Sequence, residues 1–135
     1  MCISAEDRTR REFKYTNPNH VIQRFHERKG LFGNKCVDDM LIETQTCIRD
    51  INRCVIVPDE RRDGNKSNYI AIFLTDFGEL IAIPLFINET HIIILTLKDV
   101  KKDEKNPNWY INKYNEIGGT RGIQSLPLYY KTGFA

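Results

Sequence analysis

Residues 34–58 read NKCVDDMLIETQTCIRDINRCVIVP, and a change of pattern inside this stretch decides the fold. Up to residue 52, Val37, Met40, Leu41, Thr44, Ile48 and Ile51 recur at three- and four-residue steps. That period predicts a helix over 34–52 with one buried side. Asn34 is a suitable cap, and Asp38 and Asp39 in the first turn suit the positive end of the helix dipole. From Cys54 the helical period stops. Cys54–Pro58 (CVIVP) is a short β-branched run, the composition of a strand.

The strand character continues downstream. After the polar loop DERRDGNKSN (59–68) come YIAIFLT (69–75), the turn Asp76-Phe77-Gly78-Glu79, and LIAIPLFI (80–87). Pro84 inside this last run implies an edge or a bulge, because proline offers no N–H to a ladder. Asn88-Glu89-Thr90 then leads into HIIILTL (91–97). Short connections between consecutive strands favour an antiparallel meander. A further helix is expected over 107–117, where Trp109, Tyr110, Tyr114 and Ile117 share a face before Gly118-Gly119 stops it. Residues 120–135 carry Leu126, Leu128, Tyr129, Tyr130 and Phe134, enough apolar surface for a docked tail.

Upstream lies TNPNHVIQRFHERK (16–29). Asn17-Pro18-Asn19 reads as a helix start and Gly30 as its C-cap, giving a helix over about 18–29. Residues 1–15 show no clean period and are expected to form an arm. The chain is therefore read as one α+β domain over 1–135. Two N-terminal helices (16–52) lie on one face of a twisted antiparallel sheet of about four strands (53–100), with a C-terminal helix and tail (101–135).

The chain has 135 residues, of which 41 % are hydrophobic and 28 % charged, the balance of a globular protein rather than a disordered one. Net charge is +2, so overall charge does not select a partner. No apolar run reaches the roughly 18–20 residues needed to span a bilayer, and no signal-peptide core opens the chain. A cytoplasmic location with no membrane partner is expected. Cys2, Cys36, Cys47 and Cys54 form no CxxC pair, which argues against a zinc site; their even count permits two disulfides, but without a secretion signal buried free thiols are expected. His20 and His26 are six apart, so one helix would not aim both at one ion. No metal and no cofactor are expected. P-loop, dinucleotide and nucleophile-elbow motifs are missing from the sequence.

The chemistry-bearing stretch is the helix over 18–29. At about 100° per residue, His20, Arg24 and Glu27 fall within one stripe with Arg28 at its edge, while Val21, Ile22 and Phe25 point toward a core. A base, a carboxylate and two guanidinium groups on one rigid face suit phosphodiester chemistry. His titrates near neutrality and could serve as base or acid; Glu27 could orient it or take the base role; Arg24 and Arg28 match phosphate geometry. His91, entering a strand beside a turn, is the other proton-transfer candidate. Arg61, Arg62 and Lys66 sit in a Gly/Asn-rich loop able to close over RNA. The same residues also fit a plain description. Arg24, Glu27 and Arg28 can form surface pairs worth a few tenths of a kcal/mol, and Arg61–Lys66 can be a charged hairpin tip.

Two further clusters divide in the same way. Lys98, Lys101, Lys102 and Lys105 are interrupted by Asp99, Asp103 and Glu104, which describes a solvated segment more readily than a phosphate cradle. Trp109, Tyr110 and Tyr114 beside them could stack on bases, although their helical spacing favours core packing. Arg8-Thr9-Arg10-Arg11 is diluted by Glu6, Asp7 and Glu12.

The element order, with HVIQRFHERKG opening it and the His20-Val-Ile-Gln-Arg24 spacing continued by Glu27-Arg28, resembles the RelE-like branch of the barnase–EndoU–colicin–RelE ribonuclease superfamily. That branch includes small toxin-like domains and phage endoribonucleases. The resemblance covers about residues 18–100 and implies a compact α+β fold and metal-independent RNA cleavage by 2′-OH attack. It also implies RNA, a ribosome and a cognate antitoxin or host protein as partners. The chain is less basic than most such toxins, and its last strand ends in Lys98-Asp99. An alternative of a different class is a non-catalytic binding or inhibitor module acting on a host macromolecule. The mixed-sign surface and the aromatic tail motivate it.

Overall fold

The computed structural model describes residues 3–60, 66–118 and 126–128. Their elements, in chain order, are α1 (Ala5–Arg10), β1 (Glu12–Tyr15), α2 (Pro18–Glu27), a 3-10 turn (Lys29–Phe32), α3 (Val37–Arg49), β2 (Cys54–Pro58), β3 (Tyr69–Leu74), β4 (Leu80–Ile87), β5 (His91–Ile94), β6 (Lys98–Asp99), α4 (Val100–Asp103) and α5 (Pro107–Gly118). The α+β class expected from the sequence is present, with helices at Pro18 and Val37 followed by the β2–β3–β4 meander.

Among the described residues the sheet is mixed rather than antiparallel, and it has six strands rather than about four. Its order is β1-β5-β4-β3-β2, with β6 pairing β4. β1 runs parallel to β5, placing Glu12 beside His91 and Tyr15 beside Ile94. The arm expected over residues 1–15 is thus a helix and an edge strand. Ser4 Oγ caps α1 by accepting from Asp7 N at 3.0 Å, and Phe13 and Tyr15 of β1 pack on the core. α1 hides from a periodicity search because its buried residue is a charged one, Arg8.

Pro84 falls in a central strand, and the irregularity it signals lies opposite. From Leu85↔Ile94 to Ala82↔Lys98, the β5–β6 side advances four residues against three on β4, which is a bulge. Pro84 O accepts Leu95 N at 3.1 Å and has no N–H to return. The single strand expected over 91–97 is therefore split in two.

Helices cover both faces of the sheet, correcting the one-face arrangement. Val21, Phe25, Met40, Cys47 and Ile48 pack with Phe73, Ile83, Leu85 and Ile92 on one side. Tyr110, Ile111 and Tyr114 of α5 pack with Val55, Ile70 and Ile72 on the other. The aromatics Tyr110 and Tyr114 are core residues.

Two helix ends differ from expectation. α2 stops at Glu27, and the chain tightens into the 3-10 turn, so the left-handed residue is Gly33 (φ 69°) rather than Gly30. α3 begins at Val37 with Cys36 in the cap position; Asn34 instead takes φ 62°, a conformation asparagine tolerates. Of the tail, Leu126 packs against the second core. Both its backbone N–H and its C=O bond the Asn115 amide, each at 2.7 Å. Tyr129, Tyr130 and Phe134 lie outside the described residues.

Candidate functional site

α2 starts where its sequence dictates. Asn17 Oδ1 accepts from His20 N at 3.3 Å, and Pro18 occupies the first turn. Val21 and Phe25 are fully buried, which turns His20, Arg24 and Glu27 outward as the stripe requires. His20 is exposed, and its Nε2 lies 3.4 Å from Thr96 Oγ1, beside the β5–β6 bulge.

Glu27 is the hub of the stripe, and its partners are cations rather than His20. Arg24 Nη1 lies 3.6 Å and Arg28 Nη1 3.3 Å from Glu27 Oε1. Gln23 Nε2 donates to Oε2 at 3.1 Å. Arg28 also grips Asp103 of α4, through Nη2 at 2.8 Å and Nε at 3.0 Å. Asp103 Oδ2 accepts Asp99 N at 2.7 Å as well, so it is fixed in place. Glu27 and Arg28 border a cavity of about 450 Å³ lined also by Glu79, Asp99, Lys102 and Asp103. Four carboxylates face two cations there.

His91 does not join them. It opens β5, whereas Thr96, the partner of His20, lies five residues on, about 16 Å of extended chain. His91 Nδ1 is 2.7 Å from Thr90 Oγ1, and Nε2 is 3.6 Å from Glu12 Oε2. His91 thus stands at the start of β5 and His20 against Thr96 beyond its end, each with its own partner. Arg61 and Arg62 lie outside the described residues, and Lys66 is exposed. His26 is exposed and borders a separate cavity with Lys35 and Asp38.

A cavity of about 530 Å³ gathers the second lysine cluster and the tryptophan: Lys98, Lys105 and Trp109 line it with Glu60, Asp103 and Glu104. Part of its charge is matched within it. Lys98 Nζ lies 3.3 Å from Glu104 Oε2, and Tyr110 donates its hydroxyl proton to Glu104 Oε1. Lys113 Nζ sits 5.7 Å from the Trp109 ring centroid.

One cluster was missed in the sequence. Lys35 Nζ bonds Glu43 Oε1 at 2.6 Å and approaches Asp76 Oδ2 at 3.4 Å. Arg53 Nη2 bonds Asp76 Oδ1 at 2.7 Å, and Asp76 N donates to Glu43 Oε2 at 2.8 Å. These four residues join α3 to the β3–β4 turn. Glu43 is buried, and its place beside Thr44 on the apolar side of α3 was the available signal. The hydrogen bond from Arg53 holds the Asp76 carboxyl below its usual range, and the bond to Glu43 raises the Lys35 ammonium. Cys47, behind this cluster, is pushed up to about 12 by burial. Cys36, Cys47 and Cys54 are free thiols; Cys36 is exposed, against the expectation of burial.

Among the described residues, no group of three or more His, Cys, Asp or Glu is placed to hold a metal ion. No helix among them is long and apolar enough to cross a membrane. No family model, curated protein or solved structure matches this chain.

Proposed function

We propose that this chain is a non-catalytic binding module that docks on another macromolecule, with the cytosol as its place of action. The observation that carries this reading is the pairing of the α2 stripe. Arg24 and Arg28 are both engaged by Glu27, and Arg28 is engaged again by Asp103. The adjoining cavity holds more carboxylates than cations. Such a surface repels the phosphate backbone whose neutralisation drives RNA binding. The separation of His20 from His91 supports the same reading, since RNA cleavage needs an acid and a base within reach of one phosphate.

A metal-independent endoribonuclease of the RelE-like toxin or phage host-takeover type is the second reading. A specific observation favours it: Glu27 and Arg28 do border a concavity, with Lys102 across it. A phosphate there would have to displace Asp103 from Arg28. Its partners would be RNA, the ribosome and a cognate antitoxin.

Purified protein incubated with naked and with ribosome-bound RNA in excess chelator separates the two. Intact RNA, together with a defined partner on co-purification, is expected. Cleavage that His20→Ala abolishes would overturn the binding reading and establish the second.

A further inference from the structure

The sheet ends on β2 at one side and β1 at the other, and the two edges differ. At β2, Cys54 N donates to Asp50 O at 3.0 Å, Cys54 O accepts from Arg8 Nη1 at 2.7 Å, and Pro58 has no N–H to offer. At β1, Glu12 N donates to Thr90 O and Thr16 N to Ile94 O, each at 3.1 Å, so the even-numbered residues turn their backbone groups toward β5. The residues between them face the other way. The N–H and C=O groups of Phe13 and Tyr15 therefore point off the sheet, and they make no hydrogen bond among the described residues. Glu12 and Lys14 are exposed and Phe13 and Tyr15 half-buried, whereas Cys54, Val55 and Ile56 of β2 are buried. Open backbone groups along a sheet edge are a template for another strand.

The side chains on this edge select the strand. Glu12 and Lys14 are two apart and share one face of β1, while Phe13 and Tyr15 pack on the core from the other. A lone lysine on an edge guards against pairing; a glutamate and a lysine two apart are instead self-complementary. In an antiparallel pairing of two copies of β1 with Phe13 opposite Phe13, the two phenylalanines exchange their outward N–H and C=O bonds. Glu12 then stands opposite the second copy's Lys14, and Lys14 opposite its Glu12. Moving the centre of pairing by one residue sets Glu12 on Glu12 or Lys14 on Lys14, which is unfavourable. Tyr15 meets the second copy's Arg11, whose backbone is already extended (φ −87°, ψ 146°) and whose carbonyl also accepts Arg49 Nη2 at 3.0 Å. The neighbouring cations have partners within the chain. Arg10 and Arg11 pair with Asp7 and bond the Glu89 and Asn88 carbonyls, and Arg49 lies 4.7 Å over the Phe13 ring. Glu89 precedes β5 and lies outside the paired segment. Glu12 Oε2 is 3.6 Å from His91 Nε2, on the inner side of β1, and Lys14 makes no ion pair among the described residues.

We propose that β1 is the seam of a symmetric dimer, in which two copies of this chain pair antiparallel about Phe13 and the sheet runs on from one copy into the other. This goes beyond the binding reading and does not depend on it. A seam this short makes a weak dimer, with a Kd of about 100 μM. Sedimentation of the whole chain from about 10 μM to about 1 mM should show monomer and dimer in exchange. Amide hydrogen exchange at Phe13 and Tyr15 should slow as the dimer forms. Glu12→Lys and Lys14→Glu, both at exposed positions and checked by thermal unfolding, each turn two attractive pairs into two repulsive ones. Each should weaken self-association about tenfold or more. Mixing the two variants brings opposite charges together again at both pairs and should restore association, now between unlike chains. A parent that stays monomeric at about 1 mM overturns the proposal. So does a dimer that neither substitution weakens, a mixture of weakened variants that stays monomeric, or a dimer that leaves exchange at Phe13 and Tyr15 unchanged.

Discussion

Arg8 is 1 % exposed and holds three elements together. Its Nη1 donates to Ile48 O at 3.2 Å and to Cys54 O at 2.7 Å, and its Nε donates to Ile3 O at 3.2 Å. Ile48 O belongs to the last turn of α3, where carbonyls lack helical partners and a cation is favoured. Arg8→Met keeps much of the stem and removes the fork. Each charged-donor bond is worth about 1.5–3 kcal/mol net, a gross loss of about 6 kcal/mol. Methionine escapes the several kcal/mol needed to desolvate a guanidinium, which offsets about half. The expected destabilisation is about 3 kcal/mol, or about 10 °C in Tm for a chain of this length. Arg8→Lys retains the charge but cannot reach three carbonyls at once, and should lose about 2 kcal/mol. Urea unfolding, with the midpoint shifting at constant slope, reads both. A Met variant within about 0.5 kcal/mol of the parent would show that these bonds do not join α1 to the fold.

Two other substitutions probe the same framework. The Thr44 hydroxyl is fully buried on α3 without a hydrogen-bond partner among the described residues; Thr44→Val should therefore raise stability by about 1 kcal/mol in the same urea assay. The Asp76 carboxyl is held below its usual range by the bond from Arg53, so its contribution is present above the unfolded carboxylate pKa and disappears as pH falls through the lower folded value. Chemical denaturation from pH 6 downward should show the parent's advantage over Asp76→Asn shrinking through about pH 4 and below.

The long elements were legible because their patterns are local. α3 announces itself through Met40, Thr44 and Ile48, and β2 to β4 through β-branched runs between turn residues. Asn17 and Pro18 marked the start of α2 correctly. What stayed hidden depends on distant partners. β1 is four residues, EFKY, whose pairing with β5 is visible only once residues 12–15 meet 91–94. α1 carries a guanidinium into the core, which apolar periodicity cannot register. The second helical layer did leave a trace. YIAIFL and LIAIPL are continuous apolar runs rather than alternating ones, the mark of strands buried on both faces. For the site, the 3.6-residue period grouped His20, Arg24 and Glu27 correctly. It could not reveal that Asp103, 75 residues beyond Arg28, would complete the pairing.

Whether the stripe is an internal ion lattice or a phosphate grip is decided by the affinity of a fluorescent single-stranded RNA for the parent chain, Arg28→Ala, and the Glu27→Gln/Asp103→Asn double variant. As an ion lattice, the stripe leaves the parent with only weak, salt-sensitive RNA binding that Arg28→Ala barely changes, and releasing the guanidinium groups in the double variant strengthens it about tenfold. Tight binding by the parent that Arg28→Ala abolishes would contradict this and return the stripe to RNA.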